Sequence, residues 1–179
     1  MSSRTSGCDI GSEAGFDAQP TLRGELVEVR PLREEDYDAL FAAASDPLIW
    51  EQHPDARWRE YVFRPFFAEH LATGGALAVL DARSGEVIGT SRYHDFDPER
   101  SEVEIGWTFI ARDYWGGTYN GELKRLMLDH AFCSVETVLF VVAPGNIRSQ
   151  RAVEKLGAVR AGTRYDDERG ERLVFALTR

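Results

Sequence analysis

The chain has 179 residues, 43% of them hydrophobic, enough for one domain with a substantial core and too few for two comfortable ones. Its 30 acidic and 21 basic residues leave a net charge of -9, which lacks the basic footprint of a nucleic-acid binder. The same balance suits a cationic substrate such as an amine, or simply keeps the protein soluble.

Two cysteines, Cys8 and Cys133, and four scattered histidines offer neither a disulfide framework nor zinc-ligand spacing, so no metal and no structural disulfide are expected. The longest apolar runs, Ala76–Leu80 and Val138–Ala143, are too short to span a bilayer. No apolar leader opens the chain, and the expected compartment is the reducing cytoplasm, with no membrane partner.

Residues 1–20, rich in Ser, Gly and Asp, read as a disordered tail. Leu26–Arg30 alternates as a strand and stops at Pro31. Glu34–Ala44 puts Tyr37, Leu40, Phe41 and Ala44 on one helical face, ending at Ser45-Asp46-Pro47. Trp58–Leu71 is helix-like with a kink expected at Pro65, and its aromatics suit either a substrate lid or the interface of a homodimer. Ala76–Leu80 and Val87–Tyr93 form a hairpin around Arg83-Ser84-Gly85-Glu86, and a turn at Asp97-Pro98 leads into the long strand Glu102–Ile110.

Thr118–Phe132 is an amphipathic helix, with Tyr119, Leu123, Leu126, Met127 and Ala131 inward and Lys124, Arg125 and Asp129 outward. Thr137–Val142 is an apolar strand, and Ile147–Leu156 a short helix capped by Gly157. Ala158–Tyr165 and Arg172–Leu177 make a last hairpin around Glu168-Arg169-Gly170. The sum is a mixed α/β fold, a twisted sheet of about seven strands with about four helices on both faces. Strand 102–110, helix 118–132 and strand 137–142 form a right-handed βαβ unit, which places a ligand site around residues 109–120 and 143–151.

Within that region, Trp115-Gly116-Gly117-Thr118-Tyr119-Asn120 joins a strand end to a helix start. Free backbone N–H groups and the helix dipole make such a turn an anion site; the plain alternative is an ordinary strand-to-helix connection. It matches neither a Walker A sequence nor Gly-x-Gly-x-x-Gly. In Asn146-Ile147-Arg148-Ser149-Gln150-Arg151, Asn146 suits an N-cap. Ser149, Ala152, Val153 and Leu156 share a face, while Arg148, Arg151 and Lys155 form a stripe that either meets phosphate or is merely solvated. On the strand, Glu102, Glu104, Gly106 and Thr108 project to one face, and Val103, Ile105, Trp107 and Phe109 to the other.

Glu104-Ile105-Gly106-Trp107, the Gly-rich turn and the Asn-led helix together resemble the acyl-CoA-binding half of the GNAT superfamily of N-acetyltransferases, in particular the ribosomal-protein N-terminal acetyltransferase branch. The resemblance implies that residues 21–179 are one acyl-CoA N-acyltransferase domain. It implies a co-substrate, acetyl-CoA, whose pyrophosphate sits on Trp115, Gly116, Gly117, Thr118, Tyr119 and Asn120. Asp113 stands where the family has Gln or Arg, and Thr118 replaces a final Gly or Ala. Backbone groups of Phe109 and Ile110 would hold the pantetheine and polarise the thioester carbonyl, Asn146 would contact the same arm, and Arg148 and Arg151 the 3′-phosphate end.

Many relatives carry a tyrosine acid where this chain has Val153, so by resemblance Ser149 stands near the sulfur instead, helping a thiolate of pKa about 8.5 to leave. An amine near pKa 10.4 must lose a proton before it attacks. Glu104, with Glu102 second, is the base the resemblance implies; either is otherwise a paired strand carboxylate. Trp50, His53, Tyr61, Arg92 and His94 are candidates for the acceptor pocket. The expected activity is acetyl transfer to a primary amine, at a protein N-terminus, a lysine or a small molecule, by direct attack. The rival is an acyl-CoA-binding or sensing module without turnover.

Overall fold

The computed structural model describes residues 15–167 and 169–179. Alternation along β2 (Val27–Pro31) buries Val27 and Val29 completely; after two helices β3 (Ala76–Asp81) pairs with it, and hairpins carry the sheet on through β4 (Val87–Asp97) to β5 (Glu102–Ile110). A short β1 (Leu22–Arg23) borders β2. Beyond β5 lie β6 (Thr137–Val142), β8 (Gly170–Thr178) and, at the far edge, β7 (Val159–Asp166). The order is β1-β2-β3-β4-β5-β6-β8-β7, antiparallel everywhere except between β5 and β6. Eight strands replace the seven expected, because β1 is only two residues long and shows no period of its own.

Four helices cover the sheet: α1 (Tyr37–Ala44), α2 (Glu60–Ala72), α3 (Tyr119–Ala131) and α4 (Ile147–Lys155). They divide the core in two. Val27, Leu77, Val103, Ile105, Val138 and Phe140 pack with Leu123 and Met127 of α3 on one face. Leu40, Phe63, Phe66, Phe67 and Phe109 pack with Trp50 on the other. Phe63, Phe66 and Phe67 are therefore core side chains, not the lid or dimer surface that their density suggested; Tyr61, at 71% exposure, faces solvent. No helix among the described residues is long and apolar enough to cross a membrane.

Three further expectations meet a different outcome. Lys124 points inward and is buried, because it lies three and four residues before Met127 and Leu128, which belong to the buried face of α3. Cys133 is disulfide-bonded, while Cys8 lies outside the described residues. A cross-link depends on two backbones meeting in space, which cysteine spacing alone does not reveal, so the compartment argument drawn from the cysteines loses its basis. Residues 15–20 of the segment read as a tail pack on the sheet, where Phe16 meets the Tyr93 ring edge-on at 4.9 Å and His130 Nε2 lies 2.8 Å from Asp17 O.

Candidate active site

The site begins where the parallel pair comes apart. β5 and β6 pair only through Glu102, Val103 and Glu104 against Thr137, Val138 and Leu139. Past that point β5 runs on to Ile110 against β4, and β6 to Val142 against β8. Strand edges that stop pairing leave backbone groups in search of partners, and here they line a wedge between two strands.

The turn that follows β5 stands at the wide end of the wedge. Gly116 holds φ +72°, and a Cβ added at Gly116 or Gly117 would meet nothing within 4 Å. No side chain caps the start of α3, whose first N–H groups therefore remain available to an anion. Tyr119 is turned away and donates to Asp81 Oδ1 at 3.2 Å, and Asn120 is half-buried behind it. Opposite the turn, Asn146 caps α4 by accepting from Ser149 N at 3.1 Å. Ser149 Oγ has no hydrogen-bond partner among the described residues, and Val153 is buried in the main core.

Arg148 ties the two segments together. Its guanidinium lies 4.4 Å from the Trp115 ring centroid and donates to Ile49 O at 2.6 Å, while Trp115 Nε1 donates to Ile110 O at 2.8 Å. Arg148 thus leaves the solvated stripe in which periodicity put it, and burial lowers its pKa from the usual arginine value. Arg151 stays exposed on the outer face of α4.

Trp107 decides which side chains meet. Its φ of +51° is a left-handed conformation that a bulky residue adopts at a cost of about 1–3 kcal/mol, and it coincides with a register shift between β4 and β5. The bulge inverts the alternation. Val103 and Ile105 face α3, but Trp107 and Phe109 pack on the opposite face. Thr108 is thrown to the α3 side, where its hydroxyl accepts from Lys124 Nζ at 2.6 Å and meets Ser91 Oγ at 2.8 Å. The shared face expected for Glu104 and Thr108 is therefore corrected: strict alternation fails because a bulge adds one residue to one strand only.

On the α1/α2 face Glu104 is 5% exposed, and burial raises its carboxyl to a pKa of about 7, opposed by Arg164, whose Nη1 lies 3.5 Å from Glu104 Oε2. Glu102 is closer to solvent and paired with Arg100 at 3.2 Å. Both carboxylates line a cleft of about 540 Å³ together with Asp95, Arg100, Leu139 and Arg164. Arg92 and His94 pair across from Gly106 and Glu104 and share their face, as do Trp50 and Phe109, 5.1 Å apart by ring centroids. His53 beside Trp50 is held neutral: burial, then the charge of Arg57, pushes its pKa down to about 4.

Lys124, Arg164, Arg169 and Arg172 were missing from the sequence-based set. Lys124 was recoverable from its spacing to Met127 and Leu128; the three arginines gave no signal, because their place on the face of Glu104 depends on the β7–β8 hairpin folding back beside β6.

The arrangement offers unpaired backbone groups in the wedge, free N–H groups at the turn and a buried carboxylate beside the cleft. Comparison with known proteins agrees at the level of fold. A structure from T. thermophilus, provisionally assigned as an acetyltransferase, is 28% identical over 94% of this chain and 92% of its own, with a TM-score of 0.73. A probable acetyltransferase (GNAT family) from Chromobacterium violaceum ATCC 12472 is 22% identical over 99% and 96%, with a TM-score of 0.80. Mycobacterium smegmatis RimJ, solved in complex with CoA-disulfide, is 19% identical over 92% and 84%, with a TM-score of 0.63. No curated protein sequence matches. The acetyltransferase (GNAT) domain model matches residues 27–159, from β2 across the wedge, the turn and α4 to the start of β7, and on that match the chain belongs to the GNAT acetyltransferase family.

Proposed function

We propose that this protein moves an acetyl group from acetyl-CoA to a primary amine by direct attack, with Glu104 as the general base. The observation that carries the reading is Glu104 itself: a carboxylate buried beside the wedge, with a pKa of about 7, changes protonation state in the range where it must both accept and release a proton. Acetyl-CoA, when bound, supplies an acyl group already activated as a thioester.

The backbone N–H groups after Gly116 would hold its phosphates, Phe109 and Ile110 would border the pantetheine arm with Asn146, and Arg151 would stand near the nucleotide end. Trp115, Thr118, Tyr119 and Asn120 shape the turn, and Arg148 braces it against α4. Glu104 draws the ammonium into the cleft, takes its proton and passes it to solvent past Arg164; Glu102 is the alternative base. Ser149, its hydroxyl unpartnered, would donate a hydrogen bond to the departing thiolate. The Asn146-x-x-Ser149 pattern supports placement near the ribosomal-protein N-terminal branch, which makes a protein N-terminus one of three acceptor classes beside a lysine and a small amine.

The test is a calorimetric titration with acetyl-CoA, followed by an amine screen reading thiol release. Binding should be lost in Gly116→Asp, whose carboxylate sits where phosphate is expected, and release should be lost in Glu104→Gln. Binding without release from any amine would favour the non-catalytic acyl-CoA module, which owes its place to Thr118 and the absent tyrosine.

A further inference from the structure

The face that carries Glu104 also carries arginines that form no ion pair among the described residues. Arg92 is 2% exposed and makes no ion pair among the described residues; its Nη groups reach only Thr73 Oγ1 at 3.4 Å and His94 Nδ1 at 3.3 Å, and its Nε has no partner. Its guanidinium stacks on Trp107 at 3.7 Å from the ring centroid, and Arg169 approaches the same indole at 5.6 Å. Arg172 stands on the face of β8 opposite the buried Leu173 and Phe175, so it points the same way, and neither Arg169 nor Arg172 is ion-paired among the described residues.

Glu69, Glu104 and Asp95 act on Arg92 through space and favour its charge, but none is ion-paired with it. Asp95 and Glu102 are partly exposed and already paired with Arg164 and Arg100. An exposed, paired carboxylate asks for no ligand, whereas a buried guanidinium without an ion-pair partner is unfavourable. Arginines thus outnumber carboxylates among the charges acting on His53, His94 and Glu104, although the adjoining cleft carries Asp95, Asp97, Glu99 and Glu102 and the chain as a whole is acidic.

We propose that the acceptor is an amine that also carries an anionic group, a carboxylate or a phosphate, received by Arg169 and Arg172 with Arg92 behind them while Glu104 takes the amine. The proposal rests on the acetyltransferase reading and narrows its substrate class. The register supports the spacing. Arg92 is opposite Gly106, two residues from Glu104, a diagonal of about 7–8 Å that a short amino acid or amino phosphate can span. Arginine forks are the donors best matched to planar carboxylates and to phosphates.

The experiment compares 3-aminopropanoate and O-phosphoethanolamine with propylamine by thiol release, in the native protein and in the double variant Arg169→Met, Arg172→Met. Thermal shifts with each amine alone, without acetyl-CoA, are measured beside it. At least one anionic amine should exceed propylamine tenfold or more in kcat/KM, chiefly through KM, and the double variant should bring the pair within twofold. Which anionic amine leads tells carboxylate from phosphate. Propylamine equal or better overturns the proposal and leaves the acetyltransferase reading intact. If no amine releases thiol, that reading fails instead, and the thermal shifts still decide. Stabilisation by an anionic amine that the double variant loses supports the anion site, and its absence overturns it.

Discussion

Lys124 Nζ donates to Thr108 Oγ1 at 2.6 Å, and no carboxylate among the described residues pairs with it. The ammonium lies behind the wedge, between Thr108 of β5 and the Phe140 ring of β6, whose centroid is 5.8 Å away. Burial alone lowers its pKa to about 7 from the lysine value of 10.5.

That relationship makes stability depend on pH in a stated direction. Between about 7 and 10.5 the unfolded chain holds a proton that the folded chain gives up, so Lys124 destabilises most below pH 7 and least above 10.5. Lys124→Met, of similar length and apolar, should raise stability at pH 6.5 by on the order of 2–4 kcal/mol. The gain should shrink steadily toward pH 9.5 in urea denaturation. A pH-independent gain would mean that folding leaves the pKa of Lys124 where it is in the unfolded chain.

Glu104 titrates with the opposite sign of charge. Below about pH 7 it is protonated and cannot serve as base, so kcat/KM should fall tenfold per pH unit there. Glu104→Gln should lower kcat by about 10²–10⁴ and remove the inflection. Because the folded carboxyl binds its proton more tightly than the unfolded one, native stability falls as pH rises from 4.5 to 7, and the Gln variant should be the more stable protein at pH 8.

Arg148 is expected to act through Trp115. Arg148→Ala removes the stacked guanidinium and the hydrogen bond to Ile49 O, and should weaken acetyl-CoA binding about tenfold, or about 1.4 kcal/mol. Arg148→Lys should not restore it, since an ammonium has no planar face to lay on the indole. Calorimetry with both variants checks this. Full affinity in the Lys variant would show that only the charge matters.

Glu122 holds β2 to α3. Its carboxylate accepts from the backbone N–H groups of Glu25, Leu26 and Val27 at 3.0, 2.7 and 2.9 Å, and it crowds Gly24 so closely that an added Cβ would come within 2.5 Å of it. Burial works against the charge, but these donors prevail and keep its pKa below the ordinary glutamate value. Glu122→Ala should cost about 1–3 kcal/mol in denaturant unfolding, and Gly24→Ala should also destabilise. The native advantage over Glu122→Ala should be full above pH 4.5 and fade as pH falls through the lowered pKa.

Much of this was legible along the chain. The strands Glu102–Ile110 and Thr137–Val142 fall where their patterns ended them, and Asn146 caps α4 as its neighbours required. Each of these depends on residues a few places apart: alternation, helical spacing, a side-chain oxygen reaching an N–H three residues on. The Gly116 turn was visible for the same reason, since glycine chemistry at a strand end is a local matter.

What lay outside that reach was every relationship made across the sheet. The bulge at Trp107 sends Thr108 to Lys124 and leaves Glu104 on the other face, and no window of sequence announces where one strand carries an extra residue. Arg92, Arg169 and Arg172 come from different strands and turns and gather on one face only after β7 and β8 fold back beside β6. Residue order along the chain was enough to set the elements, the glycine turn after β5 and the strand that carries Glu104, because each is fixed by contacts within one segment. The parting of β5 from β6, the burial of Lys124 and Glu104, and the gathering of arginines on the face of Glu104 came only with the folded whole. Those are set by burial and distance between remote segments, which a net charge of -9 cannot foretell.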